Sequence, residues 1–262
     1  MDKREDEIVA VAHALADAAR AETLPRFRLP GLGTDNKAAT GFDPVTEADR
    51  EAERVMRGIL AARRPDDAIL GEEFGPQPGS SGYTWVLDPV DGTRAFVSGI
   101  PSWGTLVGLT GPDGRPLYGL VDQPWIGERF EGGFCRARLA SPRGERRLAV
   151  RATGDLAQAT LMTTFPEIGT ADHAAAFRRV AERVRLTRYG LDCYAYALLA
   201  AGHVDLVIEA GLQAYDIVAP MALITAAGGI VTAWDGGPAE GGGTVLAAAT
   251  PALHAAAMEL LA

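Results

Sequence analysis

In the first half of the chain the apolar residues come in short runs: AILG at 68–71, YTWVL at 83–87, TLVGLT at 105–110 and LYGLV at 117–121, separated by Gly, Pro and Asp. Runs this short between turn-forming residues have strand length rather than helix length. Two helical stripes precede them. Ile8, Val11, Ala12, Leu15 and Ala16 recur at helical spacing and predict a helix to about Ala21. After the Gly- and Pro-containing loop PGLGTDNKAATGFDP, TEAD at 46–49 resembles a capping box with Asp49 in the usual place of Glu. It opens a second helix along Val55, Met56, Ile59 and Leu60, which Arg63, Arg64 and Pro65 end. This half reads as helices packed on a mostly antiparallel sheet.

From about residue 140 strands and helices alternate instead: TLMTT, AAAFRRVAERV, DCYAYALLAAG, VDLVIE, AYDIVAPMALITAAGG, IVTAW, TVLAAA and PALHAAAMELL. That alternation predicts an α/β second half and divides the chain into 1–140 and 141–262. GGPAEGGG at 236–243 reads as a surface loop.

Charge and cysteine usage narrow the classes of function. Lys and Arg number 25 against 34 Asp and Glu, a formal net charge of −9, so the overall field repels nucleic acid and anionic membrane. An anionic substrate then needs local cationic help. The only cysteines are Cys135 and Cys193, with neither CxxC spacing nor a disulfide framework, which suits a reducing compartment with both thiols packed. The acidic, amphipathic N-terminus is unlike a signal peptide, and no apolar run approaches the roughly 20 residues of a membrane span. The expectation is a soluble cytoplasmic protein with neither nucleic-acid nor membrane partners.

Carboxylates collect where the apolar runs end. Glu72 and Glu73 follow AIL, Asp88 and Asp91 follow WVL, Asp49 sits in the capping region and Asp216 opens an apolar helix. Any one of these is explained by helix capping or turn formation. Two strands that both end in carboxylates at one sheet edge are different, because like charges so placed repel unless a cation lies between them. Carboxylates, a backbone carbonyl and a hydroxyl suit a hard cation such as Mg²⁺. The histidines at 13, 173, 203 and 254 have no zinc spacing. Within DGT, Gly92 admits close backbone approach, Thr93 brings a hydroxyl, and a helix starting here exposes amides to an anion. Together these features point to metal-assisted hydrolysis of a phosphomonoester, with ions about 3.5 to 4 Å apart. The uncatalysed reaction is so slow that enzymes accelerate it by up to about 10²¹-fold.

The ordered segments DPVTEAD (43–49), ILGEEFG (69–75), DPVDGTRAF (88–96) and YDIVAPMALITAAGG (215–229) resemble the motifs of the inositol monophosphatase family. The resemblance implies a layered αβαβα fold and a Mg²⁺-dependent, lithium-sensitive phosphatase. It implies that Glu72, Asp88, the Val90 carbonyl and Thr93 hold one metal, and that Asp88, Asp91 and Asp216 hold a second. A third, weaker ion would sit near Glu72 through water. The attacking water would lie between metal, Glu72 and Thr93, with Asp49 orienting the Thr93 hydroxyl and the amides of Gly92 and Thr93 binding phosphate. Lys37 is a further candidate beside the metals. A homodimer is the assembly the resemblance implies.

Within the family, Arg94 directly after DGT and the run LDCYAYALLAAGHVDLVIEAGLQAYD are more similar to histidinol-phosphate phosphatases. Histidinol phosphate carries an ammonium and an imidazole, so its pocket should hold negative charge beyond the metal ligands. Asp192 and Glu209 are the candidates, Asp192 the more discriminating because the place of Glu209 is also acidic in inositol phosphatases. Arg94 would clamp phosphate or pair with one of these acids. The bland alternatives are Asp192 as the cap of the following helix, Arg94 as a solvated charge and Cys193 as a small packed side chain. The competing functions are a broader inositol or sugar monophosphatase, more remotely a phosphoadenosine or fructose bisphosphatase, and a non-catalytic adaptor of the same fold. The full set Glu72, Asp88, Asp91, Thr93 and Asp216 argues against the adaptor.

Overall fold

In the computed structural model, residues 3–29, 34–36 and 44–262 are described. Lys37 lies outside them. The chain opens with α1 (Lys3–Thr23), a short pair β1 (Thr34–Asn36) and β2 (Pro44–Thr46), and α2 (Glu47–Arg63). The capping box at the start of α2 is formed by Thr46 and Asp49 as the sequence predicts. Then come β3 (Ala68–Gly71), β4 (Gly75–Gln77), β5 (Thr84–Asp91), the single-turn helix α3 (Thr93–Val97), β6 (Gly104–Thr110), β7 (Pro116–Gln123), β8 (Glu128–Gly133), β9 (Arg136–Ser141) and β10 (Gly144–Arg147). These strands form one eight-stranded sheet in the order β10-β9-β8-β7-β6-β5-β3-β4. Every neighbouring pair is antiparallel except β3 and β5.

The sheet runs on to Arg147, past the change in texture near residue 140. The rest of the chain comprises β11 (Thr160–Thr163), α4 (Ala171–Ala181), β12 (Leu186–Tyr189), α5 (Cys193–Ala200), β13 (Leu206–Gln213), α6 (Ala214–Ala226), β14 (Ile230–Thr232), β15 (Gly242–Ala248) and α7 (Pro251–Leu261). Its sheet has the order β12-β11-β13-β15-β14, parallel among the first three strands and antiparallel beyond.

Alternation along the strands sorts side chains into layers. Val107 and Leu109 of β6 face α1 and α2 with Trp85, Leu87, Val11 and Met56, whereas Leu106 faces α5 and α6. In the second sheet Val207, Val245 and Ala247 meet the same two helices, while Leu206, Ile208 and Leu246 pack on Phe177 of α4 and Leu253 of α7. The result is the αβαβα layering expected from the resemblance. The central helix α6 lies with its backbone directly against the first sheet. Gly108, Gly119 and Gly132 are cross-strand neighbours on β6, β7 and β8. A Cβ on them would stand 2.7 Å from Val218 Cγ1, 2.0 Å from the Ala219 carbonyl oxygen and 2.4 Å from Leu223 Cα, respectively. Three absent side chains thus form a groove that seats the helix backbone.

One expectation fails. Cys193 is buried, but Cys135 is exposed, in the turn joining β8 to β9 where it takes a φ of 60°. Strands β8 to β10 also escaped the sequence reading, because arginines and glutamates interrupt their apolar pattern.

Candidate active site

Apolar Trp85–Leu87 runs directly into Asp88, and β5 continues through Asp91 instead of ending before the carboxylates. In a regular strand, residues three apart point to opposite faces. Here Asp88 lies opposite Leu106 and Asp91 opposite Gly104, so β5 has one residue more than β6 between the two pairs. That bulge reverses the alternation and brings both carboxylates to one side. The Pro89 carbonyl accepts a 2.8 Å hydrogen bond from Thr105 Oγ1, and the Val90 amide donates to Asp88 Oδ1 at 3.0 Å. Gly92, at φ 83°, then turns the chain into α3. That helix has only five residues, so its dipole adds little to the amides at this turn.

Other elements deliver the remaining acids. Asp216 is the third residue of α6, fixed by a 2.7 Å hydrogen bond from the Gln213 amide. Glu72 follows β3, and its amide donates to the Leu87 carbonyl. The turn beyond it is held by buried Glu53 of α2, which accepts from the amides of Glu73 (2.7 Å) and Phe74 (3.2 Å) and from Arg57 Nε (2.7 Å). Asp49 is fully buried; its Oδ2 accepts from the amide and hydroxyl of Thr46, and its Oδ1 lies 3.3 Å from the Thr93 hydroxyl. That hydroxyl is also 3.1 Å from the Val90 carbonyl, and its one proton can go to either acceptor.

Among the described residues, carboxylate oxygens of Asp88, Asp91 and Asp216 all lie within 4.8 Å of one another. Burial, then the charges of Glu72, Asp91 and Asp216, push the Asp88 carboxyl well above its ordinary range. Asp91 is pushed up by burial and by Asp192 and Asp216, against the 2.6 Å hydrogen bond from the Cys193 amide. Hard oxygen donors that repel one another at this range fit a divalent cation, whose charge reverses the sign of the interaction.

These acids line one cleft of about 270 Å³ together with Glu72, Val90, Gly92, Thr93, Arg94, Asp192 and Glu209. The sequence-derived candidates among the described residues therefore converge, apart from Asp49, which stands behind Thr93. Asp192 occupies the N-cap position of α5, yet its side chain caps nothing. It packs instead on Gly92, where a Cβ would meet its carboxyl at 3.0 Å. Burial raises Asp192 to about 6, against a hydrogen bond from Ser102 and the nearby charge of Arg94. The Arg94 guanidinium is also 5.0 Å from the Phe165 ring centroid. Burial lifts Glu209 to about 7, although the Thr164 amide (2.6 Å) and hydroxyl (2.9 Å) both donate to it.

Thr164, Phe165 and Tyr196 also line the cleft, and the sequence reading missed all three. The first two follow β11 in a stretch without periodicity, and Tyr196 lies in the apolar run CYAYALL that reads as core.

A sequence profile of the inositol monophosphatase family matches residues 4–262. The chain belongs to the inositol monophosphatase family. It is a phosphatase of that metal-dependent family. Among its relatives, the bifunctional phosphatase IMPL2 of Arabidopsis thaliana, a chloroplastic protein, is 42% identical over 90% of this chain and 66% of its own length. A histidinol-phosphatase of Streptomyces coelicolor is 37% identical over 93% of this chain and 92% of its own. A solved inositol monophosphatase from Zymomonas mobilis superposes with a TM-score of 0.87 at 39% identity, covering 100% of this chain and 99% of that one. No helix among the described residues is long and apolar enough to cross a membrane.

Proposed function

We propose that this phosphatase hydrolyses L-histidinol phosphate to L-histidinol and phosphate, a step of histidine biosynthesis. The observation that carries the reading is the surplus of acid lining the cleft. Asp192 and Glu209 stand there in addition to the four carboxylates that suit metal ions, and Asp192 has no capping role to account for it. A neutral polyol can use one such acid, Glu209, as an acceptor for its hydroxyls, but the further charge of Asp192 suits an ammonium or an imidazole better. The likeness to the Streptomyces histidinol-phosphatase supports the same substrate.

In this reading Glu72, Asp88, Asp91, Asp216, the Val90 carbonyl and Thr93 would hold two Mg²⁺, with a weaker third near Glu72. Bound there, the ions supply positive charge that lowers the pKa of water and neutralises phosphate oxygens. The Gly92 and Thr93 amides orient the phosphate. Thr93 would take a proton from the water that attacks phosphorus while passing its own hydroxyl proton to Asp49 Oδ1; the P–O ester bond breaks and the leaving alkoxide takes a proton from solvent water to depart as the alcohol. Asp192 and Glu209 hold the nitrogen end of that alcohol, with Arg94 on Phe165 forming the wall. A homodimer and a cytoplasmic location complete the proposal.

Phosphate release from a panel of monoesters with Mg²⁺ tests it. Expected is a kcat/KM for L-histidinol phosphate at least about tenfold above that for inositol 1-phosphate, the discrimination of one charge-assisted contact. The likeness to the Zymomonas inositol monophosphatase favours a second reading, a broad inositol or sugar phosphatase. Equal or faster turnover of inositol 1-phosphate would establish that one instead.

A further inference from the structure

Tyr196 sits on the fourth residue of α5, one turn beyond Asp192, and its side chain lines the cleft. It is buried, and among the described residues its hydroxyl has no hydrogen-bond partner. A phenylalanine would fill the same space without burying an unpaired hydroxyl, which costs a folded protein stability. Packing therefore explains the ring and leaves the oxygen unexplained. The groups around that oxygen are acidic. Burial, then the charges of Glu209, Asp91 and Asp216, drive the phenol well above its ordinary pKa, so it remains neutral. A neutral hydroxyl beside carboxylates can accept a hydrogen bond from a cation without adding to the repulsion, and can donate to a ligand oxygen at the same time.

We infer that Tyr196 is a specificity-determining residue: with Asp192 and Glu209 it forms a subsite for a protonated amine on the leaving alcohol, taking one N–H while the carboxylates take the other two. The three groups match the three donors of an ammonium. The inference rests on the cationic substrate proposed above, and it assigns the third contact to a residue whose sequence context reads as core.

The test compares wild type with Tyr196→Phe, using L-histidinol phosphate against glycerol 2-phosphate, a monoester without nitrogen. Expected is a roughly tenfold fall in the ratio of the two kcat/KM values, the loss of one hydrogen bond to a charged group. Calorimetric affinity for the product L-histidinol, with Mg²⁺ and inorganic phosphate present, should weaken by a similar factor. The melting temperature should not fall, since the change removes an unpaired polar atom. An unchanged ratio, or parallel losses on both substrates, overturns the inference. If Tyr196→Phe does not fold, the inference is also wrong about the hydroxyl's structural role, and Tyr196→Leu repeats the ratio measurement. A wild type that shows no preference for the amine-bearing ester refutes the substrate reading itself. A wild type that prefers it, with Tyr196→Phe unaltered, refutes only this assignment.

Discussion

Where α1 packs on the first sheet, Asp122 and Glu131 are as deeply buried as Asp88 is in the cleft. Asp122 accepts from Arg20 Nη2 at 2.7 Å and Arg129 Nε at 2.8 Å. Glu131 is bound by His13 Nε2, the Tyr118 hydroxyl and Arg138 Nε, each at 2.7 Å. Arg129 can only donate to His13 Nδ1, so the ring proton given to Glu131 sits on Nε2. Burial alone would raise the Glu131 carboxyl, but these partners outweigh it and hold it down at about 2. Asp88 has other carboxylates for its charged neighbours, and its pKa goes the opposite way. Equal burial with opposite partners separates acids that fasten a helix from acids kept for a ligand.

Exchanging charge for amide at the two places should break that symmetry. Asp88→Asn should lower kcat/KM by about 10³-fold or more, since several kcal/mol of charge stabilisation at the phosphate depend on the cations. The metal-free variant should melt no lower than wild type, because the substitution relieves repulsion; phosphate release and thermal melts check both halves. A fall in melting temperature would mean that Asp88 is also a structural acid.

Asp122→Ala should do the reverse. It takes from Arg20 and Arg129 the carboxylate they share, leaving Arg129 with Asp17 and His13, and should destabilise the chain by about 3 kcal/mol in urea unfolding. Activity at temperatures where the variant is folded should hold within a few-fold. Loss of activity without loss of stability would contradict the comparison.

Acid should find the same divide. Because the Glu131 pKa is depressed in the folded state, its contribution is present above the ordinary carboxyl pKa and is lost as pH falls from about 4.5 towards 2. The stability gap between wild type and Glu131→Gln, at most about 3 kcal/mol at pH 7, should close across that window. The cleft acids have raised values. Metal-free, they favour folding below about pH 4 and oppose it as pH rises through their folded pKa. Mg²⁺ should therefore raise the melting temperature more at pH 8 than at pH 5.5. At free Mg²⁺ about 100-fold above its dissociation constant the gain is about 2.7 kcal/mol. Equal shifts at both pH values would place the binding elsewhere.

The residues that carry charge were legible in the sequence because their chemistry is local to short motifs. DPVDGT names its donors within six positions, and TEAD names both the cap and the acid behind Thr93. What those motifs do not state is parity. Asp88 and Asp91 face the same way because β5 has one extra residue against β6, a relation between strands that neither strand records alone. Tyr196 was hidden for the opposite reason. In CYAYALL an aromatic at helical spacing satisfies the core pattern, and only the finished cleft shows its oxygen without a partner. Strands β8 to β10 were obscured by Arg129, Arg136 and Arg138, whose charges are consumed in ion pairs with α1 and neighbouring strands.

The groove of Gly108, Gly119 and Gly132 bears on the site from a distance. It sets how far α6 stands from the sheet, and α6 carries Asp216 while the sheet carries Asp88 and Asp91. The gap between carboxylates from two distant parts of the chain is thus gauged by three residues with no side chains, none of which lines the cleft. A methyl group added at Gly119 would act as a shim, widening the jaws of the site without touching anything held between them.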